Sequence, residues 1–290
     1  MTTHDNYFNK TRIAPTPSGF LHIGNILSFG ITAAMARKTG AKILLRIDDI
    51  DQARANKQYV QDIFDTLNFL EIPWDEGPRD VKEFEDSYSQ VHRLGLYNEA
   101  FEKLRDNGAG YACTCSRSQL NSSGCNCKSK IAPGDTIETS WRLDTGGSLP
   151  LSVKSYNGEI VTAALPPEME NFVIKRKDGL PAYQLTSVID DLFYGVDLVV
   201  RGDDLWPSTL AQHQLSLALG EEKFAEIAFY HHPLLMEAPG KKLSKSAGST
   251  SINYLRGQGK KPAEIFMLIA EMLGIKEPAA NWEQLAGQLL

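Results

Sequence analysis

The chain has 290 residues, of which 42% are apolar and 23% charged, and a formal net charge of −6. That length can bury a full core and hold one large domain with an insertion, or two modest domains. The acidic balance argues against a protein that coats nucleic acid by bulk electrostatics. No stretch reaches the roughly 20 consecutive apolar residues that a membrane helix requires, so no membrane partner is expected.

The polar start, Met1-Thr-Thr-His-Asp-Asn6, has no apolar core of an export signal, and a cytoplasmic location is expected. Residues 11–14 read as a short strand, and Gly24 to about Lys38 as a helix striped by Ile26, Leu27, Ile31, Ala34 and Met35. Lys42 to Ile47 is an apolar run suited to a buried strand, and it opens into Asp48-Asp49-Ile50-Asp51. Strand, helix and strand begin a parallel sheet. A second helix carries Val60, Ile63, Phe64, Leu67 and Leu70 on one face and stops at Pro73, and Tyr97, Ala100, Phe101 and Leu104 mark a third.

From Tyr111 to about Glu170 the periodicity gives way to cysteine, serine and glycine, which reads as an inserted subdomain. The sheet is expected to resume at Phe172 to Arg176, and Asp178-Gly179 turns the chain into a further strand-like run, Tyr183 to Ile189. Leu198 to Arg201 is another strand and Ser208 to Leu219 a helix; Pro262 to Leu273 and Trp282 to Leu289 are short amphipathic helices. The expected organisation is an α/β, Rossmann-like catalytic domain with a doubly wound parallel sheet, formed by residues 1–110 and 171–257. Residues 111–170 form the insert and 258–290 a helical C-terminal segment. In such sheets ligands sit outside the carboxyl ends of the strands, at the switch point. Arg12, Asp48 and Arg201 all fall at or near such ends.

All the cysteines lie in two C-x-C pairs, Cys113 with Cys115 and Cys125 with Cys127. Four thiolates so spaced can surround one tetrahedral Zn2+, which would be structural because four sulfurs leave no open position for a substrate. A second constellation is split between distant parts of the chain. Arg12-Ile-Ala-Pro-Thr-Pro-Ser-Gly19 runs into His22-Ile-Gly24-Asn25, and Lys242-Leu-Ser-Lys-Ser246 follows far downstream. A strand, a glycine-containing turn and a helix start can present N–H groups and an imidazole to phosphates, while a distant lysine loop supplies positive charge from another side. ATP fits that arrangement. Local basic pairs, Arg176 with Lys177, Lys241 with Lys242 and Lys260 with Lys261, could contact nucleic-acid phosphates despite the acidic total.

With Arg46-Ile-Asp-Asp-Ile-Asp51, Asp178-Gly-Leu-Pro-Ala-Tyr-Gln-Leu185 and Val200-Arg-Gly-Asp-Asp-Leu205 added, these motifs resemble, in order, the glutamyl branch of class I aminoacyl-tRNA synthetases. The resemblance covers roughly residues 11–256 and implies ATP-dependent activation of L-glutamate to glutamyl-adenylate. Too few residues follow Ser246 for the anticodon-binding region of a discriminating glutamyl-tRNA synthetase. The chain is instead similar to the short paralogue of the branch, which attaches glutamate to queuosine in the anticodon of tRNA(Asp) and carries a cysteine-rich insert after a Tyr-x-Cys-x-Cys start, here Tyr111 to Cys115. The alternatives are a truncated glutamyl-tRNA synthetase charging a tRNA 3′ end and a catalytically silent tRNA-binding paralogue.

The family roles carry over residue by residue. His22 would donate to phosphate or the bridging oxygen, and Lys245 would neutralise the departing pyrophosphate. Pro15, Gly24, Lys242 and Ser244 would complete the ATP site. Arg12 and Arg201 with Tyr183 would hold the carboxylate ends of glutamate, Asp48 would meet its ammonium group, and Ala14 and Thr16 would complete the glutamate site. Asp48 departs from the glutamate usual at that position, and the paralogue commonly offers a tyrosine among its zinc ligands whereas a fourth cysteine is available here. Mg2+ is expected with ATP, without a dedicated site, and a monomer is expected.

Overall fold

The computed structural model describes residues 7–115, 119, 125, 127–129, 139–238, 241–242 and 250–290, with backbone alone for 129, 236–238 and 241–242. Its elements run in the order β1 (Lys10–Ile13), α1 (Ile23–Thr39), β2 (Lys42–Leu45), α2 (Lys57–Phe69), α3 (Leu94–Asp106), β3 (Gly110–Cys113) and β4 (Ser140–Leu143). There follow β5 (Leu151–Ser155), β6 (Ile160–Ala163), β7 (Val173–Lys175), α4 (Tyr183–Phe193), β8 (Leu198–Gly202) and α5 (Trp206–Leu219). The last are β9 (Ala228–His232), β10 (Met236–Ala238), β11 (Lys241–Lys242), α6 (Ile252–Gly257), α7 (Pro262–Met272) and α8 (Trp282–Gly287). The chain divides into two compact units, 1–92 with 196–204 and 229–290, and 93–195 with 205–228.

In the first unit the strands lie in the order β2-β1-β8-β9. β1 runs parallel to both neighbours, with Thr11 opposite Ile43 on one side and Leu198 on the other. The chain leaves β1 through α1 to build β2 on one side, and much later lays β8 on the other, so the switch point falls between β1 and β8. Ile13, Leu44, Leu45, Leu198 and Val199 are buried, as strands covered on both faces require. α1 is buried along most of its length, because α8 packs against it. Gly30 makes that approach possible: a Cβ there would come within 3.3 Å of the Trp282 Cβ. The Trp282 indole N–H donates to the Glu71 carbonyl at 3.0 Å and ties the C-terminal helix to the chain just beyond α2.

The second unit contains the antiparallel sheet β3-β4-β7, the antiparallel hairpin β5-β6, and the helices α3, α4 and α5 packed on one another. Its helical core encloses a polar knot. Arg93 donates through Nε and Nη2 to the two carboxylate oxygens of Asp190 at 2.7 and 3.1 Å, and the Tyr97 hydroxyl donates to the same carboxylate at 2.7 Å. Burial, then the Asp190 charge, raises the Tyr97 phenol well above its ordinary range, so it stays a donor.

Two expected elements differ. The run Phe172 to Arg176 does not extend the parallel sheet; β7 pairs antiparallel with β4. Tyr183 to Ile189 is not a strand but the start of α4. The alternating letters of that run suit either structure, and packing decides. As a helix it buries Leu185, Val188 and Asp191 on one face at spacings of three, a pattern that a strand would split between opposite faces.

Candidate active site and cysteine cluster

The parallel pairing of β1 with β2 continues past the strand ends and builds one wall of the site. Arg46 N–H donates to the Ile13 carbonyl and Asp48 N–H to the Pro15 carbonyl, each at 2.9 Å. Asp48 therefore lies beside Pro15 and Thr16, and with Thr16, Ser18 and Asp51 it lines a small cavity. Its carboxylate is gripped by Arg46, whose Nε and Nη2 donate to the two oxygens at 2.7 and 3.0 Å. Asp49 does a different job. It accepts from the Ser89 hydroxyl at 2.5 Å and from Gln90 N–H at 2.7 Å, while the Gln90 side chain accepts from Ile50 N–H at 2.7 Å. That exchange fastens the loop after β2 to the turn at 89–90.

His22 is the N-cap of α1. Its Nδ1 accepts from Gly24 N–H at 3.1 Å, and the Asn25 side chain accepts from His22 N–H at 3.0 Å, closing a reciprocal capping box. The bond at Nδ1 fixes the neutral tautomer with its proton on Nε2, which makes Nε2 the donor of the ring. Gly24 is required for the folded-back imidazole, since a Cβ there would meet the ring Cε1 at 2.9 Å. The capping role and the proposed phosphate role are thus carried by different nitrogens of one side chain.

Arg12 and Arg201 stand on the adjacent strands β1 and β8. The register that sets Thr11 opposite Leu198 puts both side chains on the same face of the sheet. Arg12 is 6% exposed and donates from Nη1 to the Val200 carbonyl at 3.3 Å. Arg201 is 3% exposed, with its guanidinium 5.0 Å from the centroid of the Phe229 ring. His231 follows two residues later on β9, its ring stacked on Phe229 at 6.2 Å and 12°. Burial, then the charges of Arg201, His232 and Arg12, push the His231 imidazole down to about 3, so it is uncharged at neutral pH. Sequence reasoning did not single out Phe229 or His231. The available signal, two adjacent histidines closing an apolar run, is weak, because buried histidines are common in cores.

The first unit thus holds Arg12, Ala14, Pro15, Thr16, His22, Gly24, Asp48 and Arg201, whereas Tyr183 belongs to the second. Tyr183 opens α4 and is 42% exposed. Ser244 and Lys245 lie outside the described residues, as does the side chain of Lys242, whose backbone pairs in β11 with Met236. The described chain resumes at Thr250. There Ser251 forms an antiparallel bridge with His22, and Ile252 N–H donates to the Leu21 carbonyl at 2.7 Å.

In the second unit Cys113, Cys115, Cys125 and Cys127 place their sulfurs within 4.8 Å of one another. The separations are 3.6 Å for Cys113 to Cys125, 3.9 Å for Cys115 to Cys125 and 3.5 Å for Cys115 to Cys127. Zn–S bonds of about 2.3 Å at tetrahedral angles put sulfurs about 3.8 Å apart, so the set fits that ion. None of the four is in a disulfide. Burial alone would raise the Cys127 thiol, but the Thr114 backbone and the other three thiols outweigh it and bring Cys127 down to about 7, towards the thiolate that a metal binds.

Residues 9–137 and 155–283 match the family of tRNA synthetases class I (E and Q), catalytic domain. A glutamyl-Q tRNA(Asp) synthetase from Symbiobacterium thermophilum is 35% identical over 282 residues, covering 91% of this chain and 86% of that protein. A glutamate–tRNA ligase from Nitrosomonas europaea is 34% identical over 280 residues, and this chain spans only 57% of its length. Among solved structures, a glutamate tRNA ligase from Elizabethkingia meningosepticum shares the fold, with a TM-score of 0.70 at 19% identity over 96% of this chain and 64% of that one. Sequence, topology and the position of the switch point agree: the chain belongs to the class I tRNA synthetase family of the glutamate and glutamine type, and carries its catalytic domain.

Proposed function

We propose that the chain activates L-glutamate with ATP to glutamyl-adenylate and passes the glutamyl group to queuosine in the anticodon of tRNA(Asp). One observation carries the activation step. The chain just beyond the lysine motif, at Ser251 and Ile252, is bonded to Leu21 and His22, the residue before the N-cap and the N-cap itself of the helix whose N–H groups suit phosphate. The neighbouring strands β1 and β8 offer two buried guanidiniums suited to an acidic amino acid.

In the proposed reaction a glutamate carboxylate oxygen attacks the α-phosphorus of ATP. A new O–P bond forms as the bond to the leaving pyrophosphate breaks, and the electron pair departs with pyrophosphate. No proton changes hands, because the carboxylate is already ionised, so the protein's task is alignment and stabilisation of spreading charge. His22 donates from Nε2 to a phosphate oxygen. Lys245 neutralises the pyrophosphate, and Pro15, Gly24, Lys242 and Ser244 complete the ATP site. Mg2+ enters with ATP as the counter-ion of its phosphates.

Arg12 and Arg201 hold the glutamate carboxylates, Ala14 and Thr16 complete that site, and Asp48, oriented by Arg46, meets the ammonium group. Glutamine would leave a buried guanidinium without its anion, at a cost of about 3–5 kcal/mol, which is a preference of roughly one hundredfold to a few thousandfold for glutamate. In the transfer an acceptor hydroxyl oxygen attacks the glutamyl carbonyl carbon; an ester bond forms as the acyl–phosphate bond breaks, AMP leaves with the electron pair, and the hydroxyl proton passes to solvent.

The Tyr-x-Cys-x-Cys start at Tyr111 to Cys115 supports the queuosine acceptor, together with relatives bearing the glutamyl-Q name. Similarity to glutamate–tRNA ligases at about the same identity favours, as the second reading, esterification of a tRNA 3′ end. Radiolabelled glutamate offered with ATP to tRNA(Asp) with and without queuosine separates them. Label on the queuosine-bearing tRNA alone supports the first, and equal labelling with a 3′ ester establishes the second. The cysteines hold Zn2+ as a cross-link of β3 to the 125–127 segment, with no part in the reaction. Metal analysis is expected to find one zinc per chain, lost with a fall in melting temperature in Cys115→Ser.

A further inference from the structure

The buried guanidiniums of Arg12 and Arg201 have a neighbour that the family roles leave unassigned, His231. Arg12, Arg201 and Phe229 are each at most 6% exposed. Phe229 carries the Arg201 guanidinium at 5.0 Å and the His231 ring at 6.2 Å, so strand β9 holds guanidinium and imidazole against one aromatic ring. Guanidinium groups only donate hydrogen bonds, whereas a neutral imidazole offers one N–H and one lone pair. Burial first, and then the positive charges around it, Arg201 foremost, keep His231 neutral. Fixed positive charge and an uncharged, directional hydrogen-bonding group thus stand together against Phe229.

Building on the proposed glutamate pocket, we infer that His231 is a specificity-determining residue, an uncharged hydrogen-bonding wall that orients the substrate carboxylate against Arg201. A pocket of guanidiniums alone would attract any small anion. The imidazole, braced by Phe229, adds direction without adding charge.

The test is glutamate-dependent exchange of pyrophosphate into ATP by the full chain. His231→Leu, which keeps bulk and removes both nitrogens, is expected to raise KM for glutamate at least tenfold, with kcat and KM for ATP within about threefold of wild type. His231→Gln, which restores a neutral donor and acceptor, is expected to return KM for glutamate to within about threefold. In the wild-type protein, glutamate should shift the His231 ring nitrogen resonances while the ring remains neutral, a readout that does not depend on a variant folding. Unchanged KM for glutamate in the leucine variant, an equal rise in both variants, or resonances indifferent to bound glutamate would overturn the inference and leave the glutamate pocket standing. Absence of any exchange by wild type would overturn the functional reading and this inference together.

Discussion

The two units each contain a buried arginine gripping an aspartate in nearly the same way, and the two pairs do different work. Arg46 meets Asp48 at 2.7 and 3.0 Å, and Arg93 meets Asp190 at 2.7 and 3.1 Å. The Asp190 side chain has no exposed surface and also accepts from Tyr97, so that pair is closed on itself. The Asp48 side chain keeps 11% of its surface and lines a cavity beside Thr16. A buried ion pair adds little net stability in general, since desolvation offsets the attraction, yet removing one partner is costly. The difference therefore lies in what remains accessible: the closed pair organises α3 and α4, and the open one presents an oriented carboxylate at the rim of the proposed site.

The largest expected effect tests the closed side. Asp190→Asn leaves the Arg93 charge buried, and urea unfolding should show a loss of about 3–5 kcal/mol. A loss below about 1 kcal/mol would break the contrast. Next comes the cation at the switch point. Arg201→Gln should raise KM for glutamate by about a hundredfold in pyrophosphate exchange, equivalent to about 2.7 kcal/mol, with KM for ATP nearly unchanged. A variant that instead lost ATP and glutamate binding equally would assign Arg201 to general architecture. The smallest expected effect sharpens the open side. Asp48→Asn should raise KM for glutamate about tenfold, and because Arg46 then loses its partner it should also lower stability, though by less than Asp190→Asn. An Asp48 variant that changed stability alone would make the two pairs equivalent.

Much of this was legible from local patterns. The spacing of the cysteines announced a four-thiol set, and the set is present because two C-x-C pairs on one short stretch need only β3 and a return segment to meet. The helix after His22 was legible from its apolar stripe, though its cap was not: that His22 uses Nδ1 for the cap and so presents Nε2 as its donor emerges only from the geometry. The segment from Tyr183 was misread, because a short run with mixed apolar and polar letters satisfies strand and helix alike until its neighbours choose.

What the sequence determined by itself was the inventory: a parallel α/β scaffold, a glycine two residues after a histidine at a helix start and a cysteine set, each legible from spacings of a few residues. Tertiary structure decided the company each residue keeps. Parallel pairing placed Arg12 beside Arg201 across the switch point, β9 brought Phe229 and His231 to Arg201, and burial kept that histidine neutral. Proximity between residues distant in the chain depends on strand order and register, and the charge state of a buried ring depends on what surrounds it, neither of which is written in local periodicity.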